Sequence, residues 1–130
     1  MARDTQSITK MSRREGYALH PKAAKYMVKR GATLPGQQGR GGGRRSTTSQ
    51  YSLQLREKQK VKRLYGLLER QFANLMTEAN RKQGQSGAVL LQLLEKRADN
   101  VVYRAGFATS RRAARQLVTH GHFLLNGRRV

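Results

Sequence analysis

Arginines dominate the chemistry on offer in residues 109–128, TSRRAARQLVTHGHFLLNGR. Arg111, Arg112 and Arg115 follow directly on Ser110, whose hydroxyl suits the N-cap of a helix because it can accept from first-turn N–H groups. Cations in a first turn sit at the positive end of the helix dipole, where they are disfavoured. A neighbouring anion reverses that penalty. Phosphate fits best, since arginine forks and the N–H groups of a helix N-terminus both bind its oxygens.

Other groupings that mimic a reaction centre fail on their spacing. Residues 36–43 are Gly-rich, but no Gly-Lys-Ser or Gly-Lys-Thr closes the run and no apolar strand precedes it, which argues against a nucleotide loop. His120 and His122 form a pair, yet a metal site needs three or four ligands and the only other histidine is His20. Imidazoles in a basic surface stack or hydrogen-bond on RNA instead. Glu95 and Asp99 lie a helical turn apart, and among so many arginines they read as ion-pair partners that orient basic side chains. No nucleophile, base and orienting group assemble, so no catalytic residue, metal or cofactor is expected.

The whole chain carries the same bias. Its 130 residues hold 27 Lys and Arg against 7 Asp and Glu, a formal net charge of +20. Such a chain repels itself in isolation and is stabilised by a polyanion, with nucleic acid the first candidate. A membrane partner is not expected, because no apolar stretch approaches a spanning length and no basic-then-apolar leader is visible. Cysteine is absent, which removes disulfides, thiol catalysis and thiolate metal sites and fits a cytoplasmic setting. Hydrophobic content of 37% allows a modest core.

The elements that must position these residues follow from periodicity. Residues 1–48 hold both prolines and most glycines and read as a basic, irregular N-terminal arm. Within it residues 11–16 suggest a turn, residues 21–30 a two-turn helix started by Pro21, and residues 31–49 a loop. That loop carries Arg40, Arg44 and Arg45 and suits an arm that orders on RNA. Residues 52–82 place Val61, Leu64, Tyr65, Leu68, Phe72, Leu75, Met76 and Ala79 in one apolar stripe, so they predict one kinked helix or two short ones around Gly66. Lys58, Lys60, Lys62, Arg63 and Arg70 occupy its other faces as a phosphate-facing surface, and Glu78 can pair with Lys82.

Ser86 can cap the next helix, through Leu90 to Arg97, and residues 99–107 keep a helical spacing until Gly106. In the helix after Ser110 the buried side is Ala113, Ala114, Leu117 and Val118, with Gly121 as its left-handed stop and the arginines on the open side. Phe123 to Leu125 is a strand candidate, and Asn126-Gly127 is the strongest short hairpin signal. Few residues follow that turn, so the hairpin is expected to be cut short. Tyr65 and Tyr103 read as core; Tyr17 and Tyr51, beside basic stretches, are the better candidates for stacking on bases.

Three blocks carry a family resemblance: residues 11–16 (MSRREG), 51–72 (YSLQLREKQKVKRLYGLLERQF) and 90–130 (LLQLLEKRADNVVYRAGFATSRRAARQLVTHGHFLLNGRRV). Together they resemble the bacterial-type small-subunit ribosomal protein S-four family over more than half the chain. The resemblance implies an α+β fold, mainly helical: the arm (1–48), a helical domain (49–87), and an S-four RNA-binding domain (88–130) with only the start of its antiparallel sheet, the family continuing beyond that point. It implies a structural constituent of the small subunit that binds ribosomal RNA at a helix junction of the 5′ domain and nucleates assembly. The implied setting is the cytoplasmic ribosome, beside neighbouring ribosomal proteins and near the messenger entry side.

On this resemblance Arg111, Arg112 and Arg115 contact phosphates, with His120, His122, Asn126 and Arg128 beside them. Arg13, Arg14 and Arg56 join the basic surface already described. No zinc is expected, since the cysteine cluster of some family members is missing. The alternatives are an assembly or rescue factor that shares the S-four domain, and the RNA-binding part of an RNA-modifying enzyme. The block at 51–72 counts against a bare shared domain, and no catalytic domain is visible.

Overall fold

The structure is a computed structural model that describes residues 5–30, 34–36 and 49–130. Its contacts divide the chain into two units, residues 1–64 and 65–130. Arg40, Arg44 and Arg45 lie outside the described residues.

The first unit contains α1 (Ile8–Glu15), α2 (Pro21–Arg30) and α3 (Gln50–Leu64). The helix expected at residues 21–30 is α2, while α1 occupies a stretch expected to be irregular, the turn expected at residues 11–16 being its second half. Few apolar residues are needed to hold them, because Met11, Leu19 and Ala23 are buried together with the hydroxyl of Ser12. Ser12 Oγ donates to Ile8 O at 2.8 Å and accepts from Leu19 N at 3.1 Å, which ties α1 to the loop that follows. That loop turns at Gly16, whose φ of +64° ends α1 in the left-handed region. Pro21 starts α2 as expected, and His20 Nδ1 accepts from Lys22 N at 3.1 Å, doing for α2 what a capping oxygen does elsewhere. Ser49 Oγ accepts from Ser52 N at 3.2 Å at the start of α3.

The second unit contains α4 (Glu69–Arg81), α5 (Ser86–Glu95), α6 (Ala98–Arg104), α7 (Arg111–Thr119) and a hairpin of β1 (Leu124–Leu125) and β2 (Arg128–Arg129). Helices α4 to α7 pack in sequence, each on the next. Tyr65, Leu67, Phe72, Ala79, Leu90, Leu94, Val102 and Ala114 form the core. Of the two options for residues 52–82, the chain takes two helices: Gly66, with φ +64°, interrupts the stripe. Glu78 and Lys82 pair at 2.8 Å as their spacing predicts. Ser86 does not cap α5; Gln85 holds the extended cap position and Ser86 is the first helical residue.

The hairpin closes despite its shortness. Leu124 pairs with Arg129 and Leu125 with Arg128 in antiparallel register, so two residues after the turn suffice for a second strand. Asn126 (φ 52°) and Gly127 (φ 76°) both adopt positive φ, the mark of the type I′ turn whose twist matches that of the strands. Phe123 falls just outside β1, with its ring 5.8 Å from that of Phe107 in a tilted contact. The result is an α+β chain that is mainly helical with a two-stranded antiparallel sheet.

Candidate nucleic-acid interface

Helix α7 begins as its sequence demands: Ser110 adopts an extended cap conformation and its Oγ accepts from Ala113 N at 3.2 Å. The arginines after it do not share one face. Arg111, Ala114, Arg115 and Val118 follow the spacing of a single helical stripe, and Ala114 on it is fully buried. Arg111 and Arg115 are thereby turned toward the rest of the unit, and the expectation that all three arginines fall on the open side is corrected. Arg112 alone keeps to it.

Arg115 is a hub. Its Nε donates to Asp99 Oδ2 at 2.8 Å and its Nη2 to the Tyr65 carbonyl at 3.0 Å, while Nη1 donates to the Gly66 carbonyl. The turn between α3 and α4 has backbone carbonyls without helical partners, and this guanidinium supplies their donors. Arg111 donates from Nε to Asn100 Oδ1 at 2.9 Å, and its guanidinium carbon lies 5.1 Å from the ring centroid of Tyr65 and 4.6 Å from that of Tyr103. Both tyrosines thus face a cation across their electron-rich rings.

Behind these arginines stand the two carboxylates. Glu95 accepts from Tyr65 Oη at 2.6 Å, from Arg104 Nη2 at 2.8 Å and Nε at 3.2 Å, and from Asn100 Nδ2. Asp99 accepts from Arg97 at 3.1 and 3.0 Å as well as from Arg115. They end α5 and open α6, and they act as the ion-pair partners that their surroundings predict. The Arg104 hydrogen bond, more than any other contact, holds the Glu95 carboxyl down to about 2. Burial pushes the Asp99 carboxyl up, but hydrogen bonds from Arg97 and Arg115 together outweigh it and leave the carboxyl lowered. Tyr65 is raised, first by burial and then by its bond to Glu95.

The outer face of α7 is different. Arg112, Gln116, Thr119 and His120 are exposed at steps of four, three and one, a continuous row on a helix surface. His120 and His122 stack with ring centroids 6.2 Å apart, and Arg129 Nη2 donates to the His120 carbonyl at 2.8 Å, tying the hairpin to the end of α7. Gly121, with φ +76°, makes that turn. Asn126 and Arg128 are exposed on the hairpin, and Arg70 is exposed on α4.

In the first unit the basic residues are partly engaged. Arg56 and Arg63 of α3 both donate to Glu15 Oε1, Arg56 at 3.3 Å, and the Glu15 side chain has no exposed surface. Lys60 pairs with Glu57, and Arg13 Nη2 donates to Leu34 O at 3.2 Å. Arg14 and Lys58 are exposed and Lys62 is half-buried. The sequence reading missed Gln116, which its step of four from Arg112 signals, and Arg129, which nothing local signals.

With this geometry in view, the family is plain. Residues 3–95 match the ribosomal protein S4/S9 N-terminal domain and residues 96–130 the S4 domain. The chain belongs to this ribosomal S4 family. Over its full length it is 58% identical to the small ribosomal subunit protein uS4 of Chlorobium phaeovibrioides, 57% to that of Chlorobaculum tepidum and 55% to that of Chloroherpeton thalassium. It spans 63% of the length of these relatives.

Proposed function

We propose that the chain is a structural RNA-binding protein of the small ribosomal subunit, gripping small-subunit ribosomal RNA by shape and phosphate contacts and helping to nucleate assembly. The observation that carries this reading is the division of α7. With Arg115 spent on the fold, Arg112, Gln116 and His120 stand as an open row that continues through His122 to Asn126 and Arg128, on a chain of net charge +20. The names of the relatives support the ribosomal setting.

In this reading Arg14, Lys58, Lys62 and Arg70 add phosphate contacts, and Arg40, Arg44 and Arg45 belong to a basic arm on the same RNA. Arg13, Arg56, Lys60 and Arg63 add to the same positive field while also bonding within the fold. The site is the 5′ domain junction implied by the family, in the cytoplasmic ribosome beside other small-subunit proteins and toward the messenger entry side, and the role is architectural rather than catalytic.

The test is binding of the full chain to a transcript of the 5′ domain of small-subunit ribosomal RNA, against an unrelated RNA of equal length, together with sedimentation from cells. Preference for the 5′ domain and co-migration with small subunits are expected. Equal affinity for both RNAs, or a chain found only free of subunits, contradicts the reading.

A further inference from the structure

We propose that Tyr103 and Tyr65 are positioning residues for RNA binding, holding the Arg111 guanidinium between them as a preformed phosphate anchor. The inference rests on the RNA-binding reading and extends it to residues that touch no RNA themselves.

An arginine carries five N–H donors on a planar fork. One Arg111 donor, on Nε, is spent on Asn100, and among the described residues no hydrogen bond occupies either Nη. Arg115, four residues on, is the contrast: all three of its nitrogens donate within the fold. Arg111 is therefore fixed without being used up. Its orientation is set by two aromatic faces, at 4.6 and 5.1 Å, and by Asn100, itself only 2% exposed and bonded to Glu95. It also lies half-buried in the first turn of α7, one residue from exposed Arg112. A long side chain normally loses rotamer freedom when it binds, and one already held between two rings loses less. Aromatic rings do this without competing for the fork's donors, which carboxylates would do.

Binding of the full chain to the 5′ domain transcript, measured over a series of salt concentrations, tests the assignment. Tyr103→Leu keeps every charge, so affinity should fall about three- to tenfold with an unchanged slope of log K against log salt. Tyr103→Phe keeps the ring and should bind within about twofold of wild type. Arg111→Ala should reduce the slope by about one, and adding Tyr103→Leu to it should cost nothing further, because a positioning residue has no effect once its target is gone. Arg111→Lys, which leaves all packing partners in place, should lose affinity with the slope preserved.

Additive losses in the double variant, or wild-type affinity in Arg111→Lys, overturn the inference while leaving RNA binding intact. A wild-type chain that does not prefer the transcript overturns the RNA reading, and the inference with it.

Discussion

Each unit joins its helices with acids and arginines, but the two do so differently. In the first unit a single carboxylate, Glu15, takes both Arg56 and Arg63 on one oxygen, and its other oxygen, Oε2, is buried with no partner among the described residues. In the second unit every oxygen of Glu95 and Asp99 accepts at least one hydrogen bond, and the network reaches Tyr65, Arg97, Asn100, Arg104, Arg111 and Arg115. Fully satisfied polar networks fix one arrangement of the elements they join, whereas partly satisfied ones hold less firmly. The comparison also shows what an arginine count conceals. An acid held by the fold turns an arginine from an open cation into a cross-link between helices.

That contrast can be broken by removing one member from each side. Arg115→Ala leaves two backbone carbonyls and a buried Asp99 with fewer donors, and it should destabilise the second unit by about 2–3 kcal/mol. Hydrogen exchange of α6 and α7 under native conditions, with denaturant unfolding, measures it. Glu15→Ala releases two arginines that share one oxygen, Arg56 being 45% exposed, so the loss should be smaller, about 1–2 kcal/mol, and confined to α1 and α3. Equal losses in the two variants would erase the difference between the units.

Acid sharpens it further. The Glu95 carboxyl lies at about 2 in the fold against an ordinary 4.5, so the folded state binds its proton less readily than the unfolded state. Its stabilising contribution is therefore whole above pH 4.5 and is lost as pH falls toward about 2. Asp99 is lowered too and acts in the same direction. Glu95→Gln should lower stability at neutral pH and flatten the decline below pH 4.5, and an unfolding series across that range reads both effects.

Much of this was legible in the sequence wherever the cause is local. Ser110, Gly121, the Asn126-Gly127 turn, the Glu78–Lys82 pair and the break at Gly66 each depend on a residue and its near neighbours. Helix α2 was signalled by Pro21, but α1 was not legible, because it rests on buried Met11 and on the Ser12 hydroxyl, which accepts from Leu19 N in the loop that follows. Nor was the fate of the arginines. Arg115 is fixed by Asp99, Tyr65 and Gly66, sixteen to fifty residues away, and only the fold brings them within reach. The step of four between Arg111 and Arg115, astride buried Ala114, was the one sequence signal that both turn inward.

In the proposed reading α7 divides its arginines, Arg115 for the fold and Arg112 for RNA. The salt dependence of Arg112→Ala binding to the 5′ domain transcript tests it most directly. A slope smaller by about one is expected, with stability within about 0.5 kcal/mol of wild type. An unchanged slope, or a loss of stability as large as that of Arg115→Ala, would contradict it.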